Sequence, residues 1–183
     1  MQTKSSTSSF LLMLFFAVGI SAQSAGIESI YTDLNAKNCK TLEQSNEYTG
    51  WYRGECPGIG GYKLQVTEGD IRQSIDVVAP NKKKYQLDFT SIVSGGFSSV
   101  GEKAEWRVTR KGKIITPTAF IVRYNASENP EDSTKITSYL VVTKITKEEI
   151  CITDIVKPDA KANEEARKLA DSSPTKPCKV SEN

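Results

Sequence analysis

The sequence predicts a mainly β fold of the α+β class: an antiparallel meander sheet, or a small sandwich or barrel, with one short C-terminal helix and two disulfides. Most of the chain after residue 22 alternates apolar and polar side chains, the period of a half-buried strand. One stretch near the C-terminus has apolar residues at helical spacing. The chain after residue 22 also contains all four cysteines, which are Cys39, Cys56, Cys151 and Cys178.

The first 22 residues have the composition of an export signal. An apolar run, Phe10–Ile20, is followed by small residues. This run is shorter than the roughly 20 residues that a helix needs to cross a bilayer. We expect a signal peptide over residues 1–22, cleaved after Ala22 or Ser24, although an uncleaved anchor is the alternative. Residues 23–183 would form a single disulfide-stapled β-rich domain with no transmembrane segment after cleavage.

Two hairpins are predicted in the first half of the domain. The first joins Cys39–Gln44 to Tyr48–Cys56. The second joins Tyr62–Thr67 to Ile71–Val77 through the turn residues Glu68-Gly69-Asp70. In both, side chains of alternating polarity favour strands with one buried face.

The second half predicts two further strand pairs. Ala104–Thr109 and Thr118–Tyr124 flank a turn at Arg110–Lys113. Ile136–Ile145 is apolar on both faces, which indicates a central strand, and Cys151–Val156 is its expected partner.

The remaining segments predict one helix and two loops. A helix begins near Asn163, with Asn163 or Asp159 as its cap, and ends at Ser172–Pro174. We interpret Asn81–Gly101 as a long surface loop with one helical turn. A second polar loop spans Asn125–Thr134 and contains the glycosylation sequon Asn125-Ala126-Ser127, which matters only in a eukaryotic secretory pathway.

Four cysteines permit three disulfide connectivities. Here they fall into an early pair and a late pair, so we expect Cys39–Cys56 and Cys151–Cys178. A metal or redox site is the alternative, but the chain has no Cys-x-x-Cys spacing. We therefore predict no metal and no cofactor.

The chain contains no histidine, which excludes Ser-His-Asp and Cys-His catalysis and histidine metal ligation. It has 24 Lys and Arg residues against 22 Asp and Glu residues. Because this balance is close to neutral, nothing in the composition indicates nucleic-acid binding. We expect a protein that is not an enzyme.

A glycine-dense loop follows the second strand of the first hairpin. A phosphate cradle would need a helix after such glycines, and here a strand follows. The loop is either a tight turn between strands or a recognition loop, and a nearby tryptophan in a polar stretch could be an exposed contact. The candidate recognition residues are Trp51, Pro57, Gly58, Gly60, Gly61 and Tyr62.

Carboxylates at the tip of the second hairpin are a further candidate site. Glu68, Asp70 and Asp76 could include a hydrolytic pair of the kind that glycosidases use. An ion pair with the neighbouring Arg72 is the simpler interpretation.

Aromatic residues and basic clusters are two further candidate contact sites. Aromatic side chains could form a platform for sugar rings, or they could fill the core, which is favoured for Trp106. Basic clusters could contact an anionic glycolipid or cell-wall polymer, or protect sheet edges. The aromatic set is Trp51, Tyr52, Tyr62, Trp106 and Tyr124, and the basic set is Lys82–Lys84, Arg107, Arg110, Lys111 and Lys113.

Several short motifs resemble a group of small, uncharacterised exported proteins of bacteria that has no assigned activity. The matching pieces span most of the mature chain. They are Tyr31-Thr32-Asp33-Leu34, Cys56–Tyr62, Glu68–Arg72, Glu105-Trp106-Arg107 and the run from Cys151 through Asn163–Asp171 to Cys178. The resemblance implies a periplasmic or secreted location and supplies no catalytic residues.

These observations lead to three functional hypotheses. The first is an exported non-catalytic binding or structural module of the bacterial envelope, whose partner is a protein or an envelope component. The second is a periplasmic inhibitor of a cell-wall hydrolase such as lysozyme, with the loop Pro57–Tyr62 entering the enzyme cleft. The third is a carboxylate-based hydrolase.

Overall fold

The structure is a computed structural model that describes residues 26–45 and 50–181. The predicted signal peptide and both cleavage sites, after Ala22 and Ser24, lie outside the described residues. In the part of the chain that is described, no helix is long and apolar enough to cross a membrane.

Ten strands and two α-helices account for most of the described chain. Two short 3₁₀ turns, Ala36–Asn38 and Ser173–Thr175, complete the regular structure. The strands are β1 Ile27–Asp33, β2 Lys40–Gln44, β3 Trp51–Pro57, β4 Lys63–Gly69, β5 Arg72–Val78, β6 Lys84–Gln86, β7 Phe97–Lys111, β8 Ile114–Ser127, β9 Ile136–Ile145 and β10 Ile150–Val156; the helices are α1 Phe89–Ile92 and α2 Ala162–Ser172.

All ten strands belong to one open, mixed sheet, so the predicted mainly β class with a short C-terminal helix is confirmed. The sheet has two antiparallel halves, β2-β3-β4-β5-β6 and β1-β7-β8-β9-β10. Within the described residues, one parallel pairing, between Arg72 of β5 and Ser98 of β7, connects the halves. The expectation of a purely antiparallel sheet is corrected at this contact.

The main hydrophobic core lies between the two halves. Leu64 and Ile75 come from the first half, and Trp106, Phe120 and Val122 come from the second half. Each is almost completely buried. Alternation along each strand places these side chains on one face, which explains why the period-2 pattern is so regular.

The outer face of the second half is covered by α2. Ala162, Ala166 and Ala170 follow one stripe of the helix and pack on Ile121 and Val142 of the sheet. Because alanine is small, the helix backbone can lie close to the strands. The helix has eleven residues, too few to persist alone in water, so its stability depends on this contact.

The helix begins differently from the prediction. Lys161 precedes the first helical residue and makes no capping bond with its side chain, and Asn163 lies inside the helix. Asp159 stabilises the turn before the helix, because its Oδ1 accepts a hydrogen bond from the Lys161 backbone N–H at 2.8 Å. The predicted end at Ser172–Pro174 is confirmed, because a 3₁₀ turn follows there.

Charged side chains fix α2 to the sheet. The Arg107 guanidinium donates to both carboxylate oxygens of Asp171 at 2.6 and 2.9 Å. Arg167 of α2 donates to Glu105 at 2.6 Å, and Ser29 of β1 also donates to Glu105. These pairs attach α2 to strands β7 and β1 of the sheet.

Both predicted disulfides are present, Cys39–Cys56 and Cys151–Cys178. The first closes the open end of the β2–β3 hairpin, where Lys40 pairs with Glu55. The second ties the chain after α2 to β10. All four cysteines are therefore used in the framework.

The predicted surface loop Asn81–Gly101 is only partly correct. It contains the predicted helical turn, which is α1, but it also contains β6 and the start of β7. Leu87 and Phe89 are buried in the core, which a surface loop does not explain. Serine and glycine around Phe97 hide the beginning of β7 because these residues have low strand propensity.

The second predicted loop also begins too early, because β8 continues to Ser127. Asn125 of the sequon therefore lies within a strand. Its side-chain Oδ1 accepts a hydrogen bond from the Ser138 hydroxyl at 2.7 Å.

The Glu105 carboxyl predicts how stability depends on pH. Burial alone would raise its pKa, but hydrogen bonds from Arg167, Ser29 and Tyr31 outweigh burial and hold the pKa below its ordinary value. A carboxyl with a depressed pKa stabilises the fold above its unfolded pKa and loses that contribution as pH falls through its folded pKa. We therefore expect Glu105→Gln to flatten the acid side of the stability curve, from about pH 5 to about pH 3.

The measurement is urea unfolding at a series of pH values. Glu28→Gln is the control, since Glu28 pairs with Arg110 on the same sheet but its side chain is 44% exposed. The control should keep the wild-type pH profile. Equal flattening in both variants would contradict the assignment to Glu105.

Candidate functional site

A concave pocket of about 650 Å³ lies between the two halves of the sheet. Strands β2 to β5 form one wall, and the turn after β1 together with β7 forms the other. This volume falls in the range of sites for small ligands. Its functional side chains are Asn35, Gln44, Trp51, Tyr52, Glu68 and Glu102.

Two aromatic residues line one side of the pocket, and alternation along β3 places Tyr52 on the face of its partner Glu68 and Trp51 at the rim. Trp51 is the first residue of β3 and is 46% exposed, as predicted for a contact residue. Tyr52 follows, and a Cβ atom at Gly54 would overlap the Tyr52 phenol. The ring of Tyr52 therefore occupies space that the absence of a side chain at Gly54 leaves open.

A chain of hydrogen bonds holds Glu68 in the pocket. Gln73 Nε2 of β5 donates to Glu68 Oε2 at 2.7 Å. Gln73 Oε1 accepts from the Val100 backbone N–H of β7 at 2.8 Å. Because one amide bridges both halves of the sheet, the Glu68 carboxylate has a fixed position.

Glu102 reaches the pocket from the opposite wall. It lies in the irregular stretch of β7 between Val100 and Ala104, where the register with β8 shifts. Its backbone oxygen accepts from Leu34 N–H at 2.7 Å. Asn35 Nδ2 donates to its Oε1 at 3.4 Å. The turn after β1 is thus attached to the pocket wall.

The predicted recognition residues do not form one site. Trp51 and Pro57 are at opposite ends of β3, six residues or about 20 Å apart. The loop 58–62 forms the predicted tight turn, with Gly60 and Gly61 at positive φ. A Cβ at Gly58 would lie 2.9 Å from the Trp106 ring, so this glycine is required by packing.

The three predicted carboxylates are also separated. Asp70 lies at the exposed hairpin tip in an ion pair with Arg72, as expected. Asp76 is buried and pairs with Lys84 at 2.6 Å rather than with Arg72. Strand alternation puts Glu68 and Asp76 on opposite faces of the sheet. Of the three, only Glu68 lines the pocket.

The predicted aromatic platform divides between core and pocket. Trp106 and Tyr124 are completely buried, which confirms the core interpretation of Trp106. Trp106 Nε1 donates to Thr32 Oγ1 at 2.8 Å. The Tyr62 ring packs 6.5 Å from the Trp106 ring, measured between centroids. Only Trp51 and Tyr52 remain for a ligand.

Most of the predicted basic residues are exposed. Lys84 begins β6, which in the described residues pairs only with β5, so it is placed to protect an edge. Arg110, Lys111 and Lys113 are at the exposed β7–β8 turn. Arg107 is the exception: it is buried against Asp171 and does not belong to a surface cluster.

A second exposed surface is apolar. Ile71, predicted in a strand, instead lies in the two-residue turn between β4 and β5 with φ +59°. This backbone region is rare for β-branched residues. Ile71, Phe97 and Ile136 are 64%, 45% and 54% exposed, and all three line one shallow depression. This surface competes with the pocket as a contact site.

The second disulfide lies beside a carboxylate without forming a metal site. Glu149 Oε2 is 3.1 Å from the sulfur of Cys178. Both sulfurs of the Cys151–Cys178 pair are bonded to each other and are not thiolates, which are the form that binds metals.

The far wall of the pocket was not predicted from the sequence. Asn35 and Glu102 are 67 positions apart, and no local motif marks either residue. The pairing of β1 with β7 brings them together. Only a signal for that pairing, such as the apolar spacing of Ile27 and Ile30, could have predicted it.

Comparison of the chain with protein-family models, curated proteins and solved structures gave no match.

Proposed function

We propose that this protein is an exported, non-catalytic binding module of the bacterial envelope, and that its ligand site is the pocket at Trp51 and Tyr52. The observation that carries the proposal is a concave site with an exposed tryptophan at its rim and fixed polar groups inside it. Aromatic rings supply contact area, and positioned amides and carboxylates supply orientation.

One structural feature and one sequence feature support the compartment. Both disulfides belong to the fold, and disulfides persist mainly in oxidising compartments such as the periplasm or outside the cell. The apolar segment Phe10–Ile20 supplies the means of export.

The test is NMR titration of the oxidised protein with soluble fragments released from purified peptidoglycan by muramidase. We expect amide shifts centred on Trp51, Tyr52 and Glu68. Trp51→Ala should weaken binding at least about tenfold, the scale of losing a stacked aromatic contact.

Phe97→Ala is the matched control, since Phe97 is an aromatic residue of equal exposure that does not line the pocket. It should bind like the wild type. Shifts centred on Phe97 and lost in the control variant would move the site to the Ile71 surface. No shifts with these fragments would contradict the proposal.

The same titration tests the hydrolase hypothesis. Glu68 and Glu102 share the pocket, as a hydrolytic pair would. Mass spectrometry of the fragments after incubation should show no new products. Cleavage of the fragments by the wild type that is absent in Glu68→Gln would indicate that the protein is a hydrolase and not only a binding module.

Inhibition of a cell-wall hydrolase is a second candidate. One observation favours it: Gly60 and Gly61 are exposed at the tip of a turn that is fixed by packing on the core. A preorganised loop loses little entropy when it enters a cleft. Lysozyme activity measured with micromolar protein decides the question, and unchanged activity would eliminate this candidate.

A further inference from the structure

We propose that the pocket selects a small organic cation, an ammonium group with an apolar substituent, whose charge is held by Glu68 and Glu102 while the substituent packs on Tyr52, with Trp51 at the rim. This inference rests on the proposed function and specifies the chemistry of its ligand.

The charge of the pocket has one sign. Glu68 and Glu102 both line it, and the lining residues of the described chain include no lysine and no arginine. Low-dielectric walls around a cleft of one charge concentrate counter-ions in it. The walls here include Leu34 and Val66, which are almost completely buried.

Neither carboxylate is neutralised by the part of the chain that the structure describes. Glu68 accepts from the Gln73 amide, and Glu102 accepts from the Asn35 amide. Neither participates in an ion pair between described residues, whereas the neighbouring Glu43 on β2 pairs with Arg53. The Gln73 amide fixes the Glu68 carboxylate, the Asn35 amide makes a longer contact of 3.4 Å with the exposed Glu102, and neither amide cancels a negative charge.

The aromatic rings suit the same ligand. A cation over the face of tryptophan or tyrosine is attracted by the ring, more strongly when water is excluded. Trp51 is half exposed at the rim, and the Tyr52 ring is held over Gly54 inside. A neutral sugar would use the rings but would leave two carboxylates without a counter-charge, and an anion would be repelled.

The experiment compares three probes of one shape, measured by NMR titration at the amides of Trp51 and Tyr52. They are cyclohexylmethylammonium, the neutral cyclohexylmethanol and the anionic cyclohexylacetate. We expect the ammonium to bind at least about tenfold more tightly than the alcohol, with no measurable binding of the carboxylate. Raising salt from about 50 to about 500 mM should reduce the preference, because ionic screening weakens partly exposed charges.

Variants assign the selectivity to its residues. Glu68→Gln and Glu102→Gln preserve shape and hydrogen bonding, and together they should reduce the preference for the ammonium to about threefold or less. Glu43→Gln makes the same change of net charge as each single replacement, but outside the pocket, and should keep the wild-type preference.

The outcomes separate this inference from the proposed function. Equal binding of ammonium and alcohol that depends on Trp51 overturns the cation preference and leaves a ligand site in place. Tighter binding of the carboxylate also overturns the preference. Displacement of the ammonium by calcium chloride at equimolar concentration would reassign the two carboxylates to a metal ion. Absence of binding by all three probes overturns the inference, and the envelope-fragment titration then decides the proposed function separately.

Discussion

Replacing Arg107 by methionine is expected to lower the free energy of unfolding by about 2 to 3 kcal/mol. The Arg107 side chain is 10% exposed, and it donates two hydrogen bonds to Asp171 of α2. It also donates to Ser29 and lies 3.8 Å from Glu105. Removal leaves carboxylates beside it without this counter-charge, which is the costly way to break a buried pair.

Two features limit the loss of unfolding free energy in Arg107→Met. Asp171 is 33% exposed, so water can partly solvate it after the change. Glu105 keeps its contacts with Arg167 and Ser29.

The matched control is Arg110→Met on the same strand. Arg110 pairs with Glu28, and both side chains are 44% exposed, so its loss should cost less than about 1 kcal/mol. Urea unfolding followed by circular dichroism measures both. Arg107→Lys should fall between wild type and Arg107→Met because lysine keeps the charge but not the two-pronged geometry. Equal losses at positions 107 and 110 would mean that α2 does not depend on this pair.

Removing the second disulfide with Cys151→Ala and Cys178→Ala is expected to cost about 3.5 kcal/mol. The bridge closes a sequence separation of 27 residues, and the chain-entropy model assigns its effect mainly to the unfolded state. Removal of Cys39–Cys56, with a separation of 17, should cost about 3 kcal/mol.

We expect the native fold to survive this change at low denaturant. Noncovalent contacts also hold the chain beyond α2: Lys179 N–H donates to Ile152 O at 2.7 Å, and Lys144 Nζ donates to Lys176 O at 2.6 Å. Lys176 pairs with Asp154 at 2.9 Å. The circular dichroism spectrum without urea should therefore match the wild type.

Urea unfolding of the two double variants, and of the wild type with reductant, provides the measurement. The urea dependence of the unfolding free energy should steepen when a bridge is removed, because the unfolded chain expands. A loss below about 1 kcal/mol for the Cys151 and Cys178 variant would show that the noncovalent contacts alone determine its stability.

Local pattern predicted the hairpins but not their long-range partners. The strands around Trp106 and Val141 were predictable because alternation and apolar runs report burial directly. Strand β1 was missed, although it begins with spaced isoleucines, because its partner β7 is more than 70 positions away. The single parallel contact of Arg72 with Ser98 has no local signal either.

The candidate site was predictable only on one wall. Trp51 was selected because it lies in a polar stretch, and Glu68 was selected with the wrong carboxylate partners. Its true companion across the pocket, Glu102, is contributed by an irregular part of β7 that lies between the predicted loop, which ended at Gly101, and the predicted strand, which began at Ala104. The burial of Asp76 and Arg107 was also not predicted. Each charged side chain can be buried only because a residue from another element supplies the opposite charge.

The two disulfides each lie within one half of the sheet and join cysteines that are consecutive along the chain. Cys39 and Cys56 belong to the first half, and Cys151 and Cys178 belong to the second. A chain that crosses a membrane N-terminus first would expose each native couple before the next cysteine arrives. Sequential oxidation in order of emergence would then yield the correct cross-links, and a thiol oxidase without isomerase activity would be sufficient for such an exported chain.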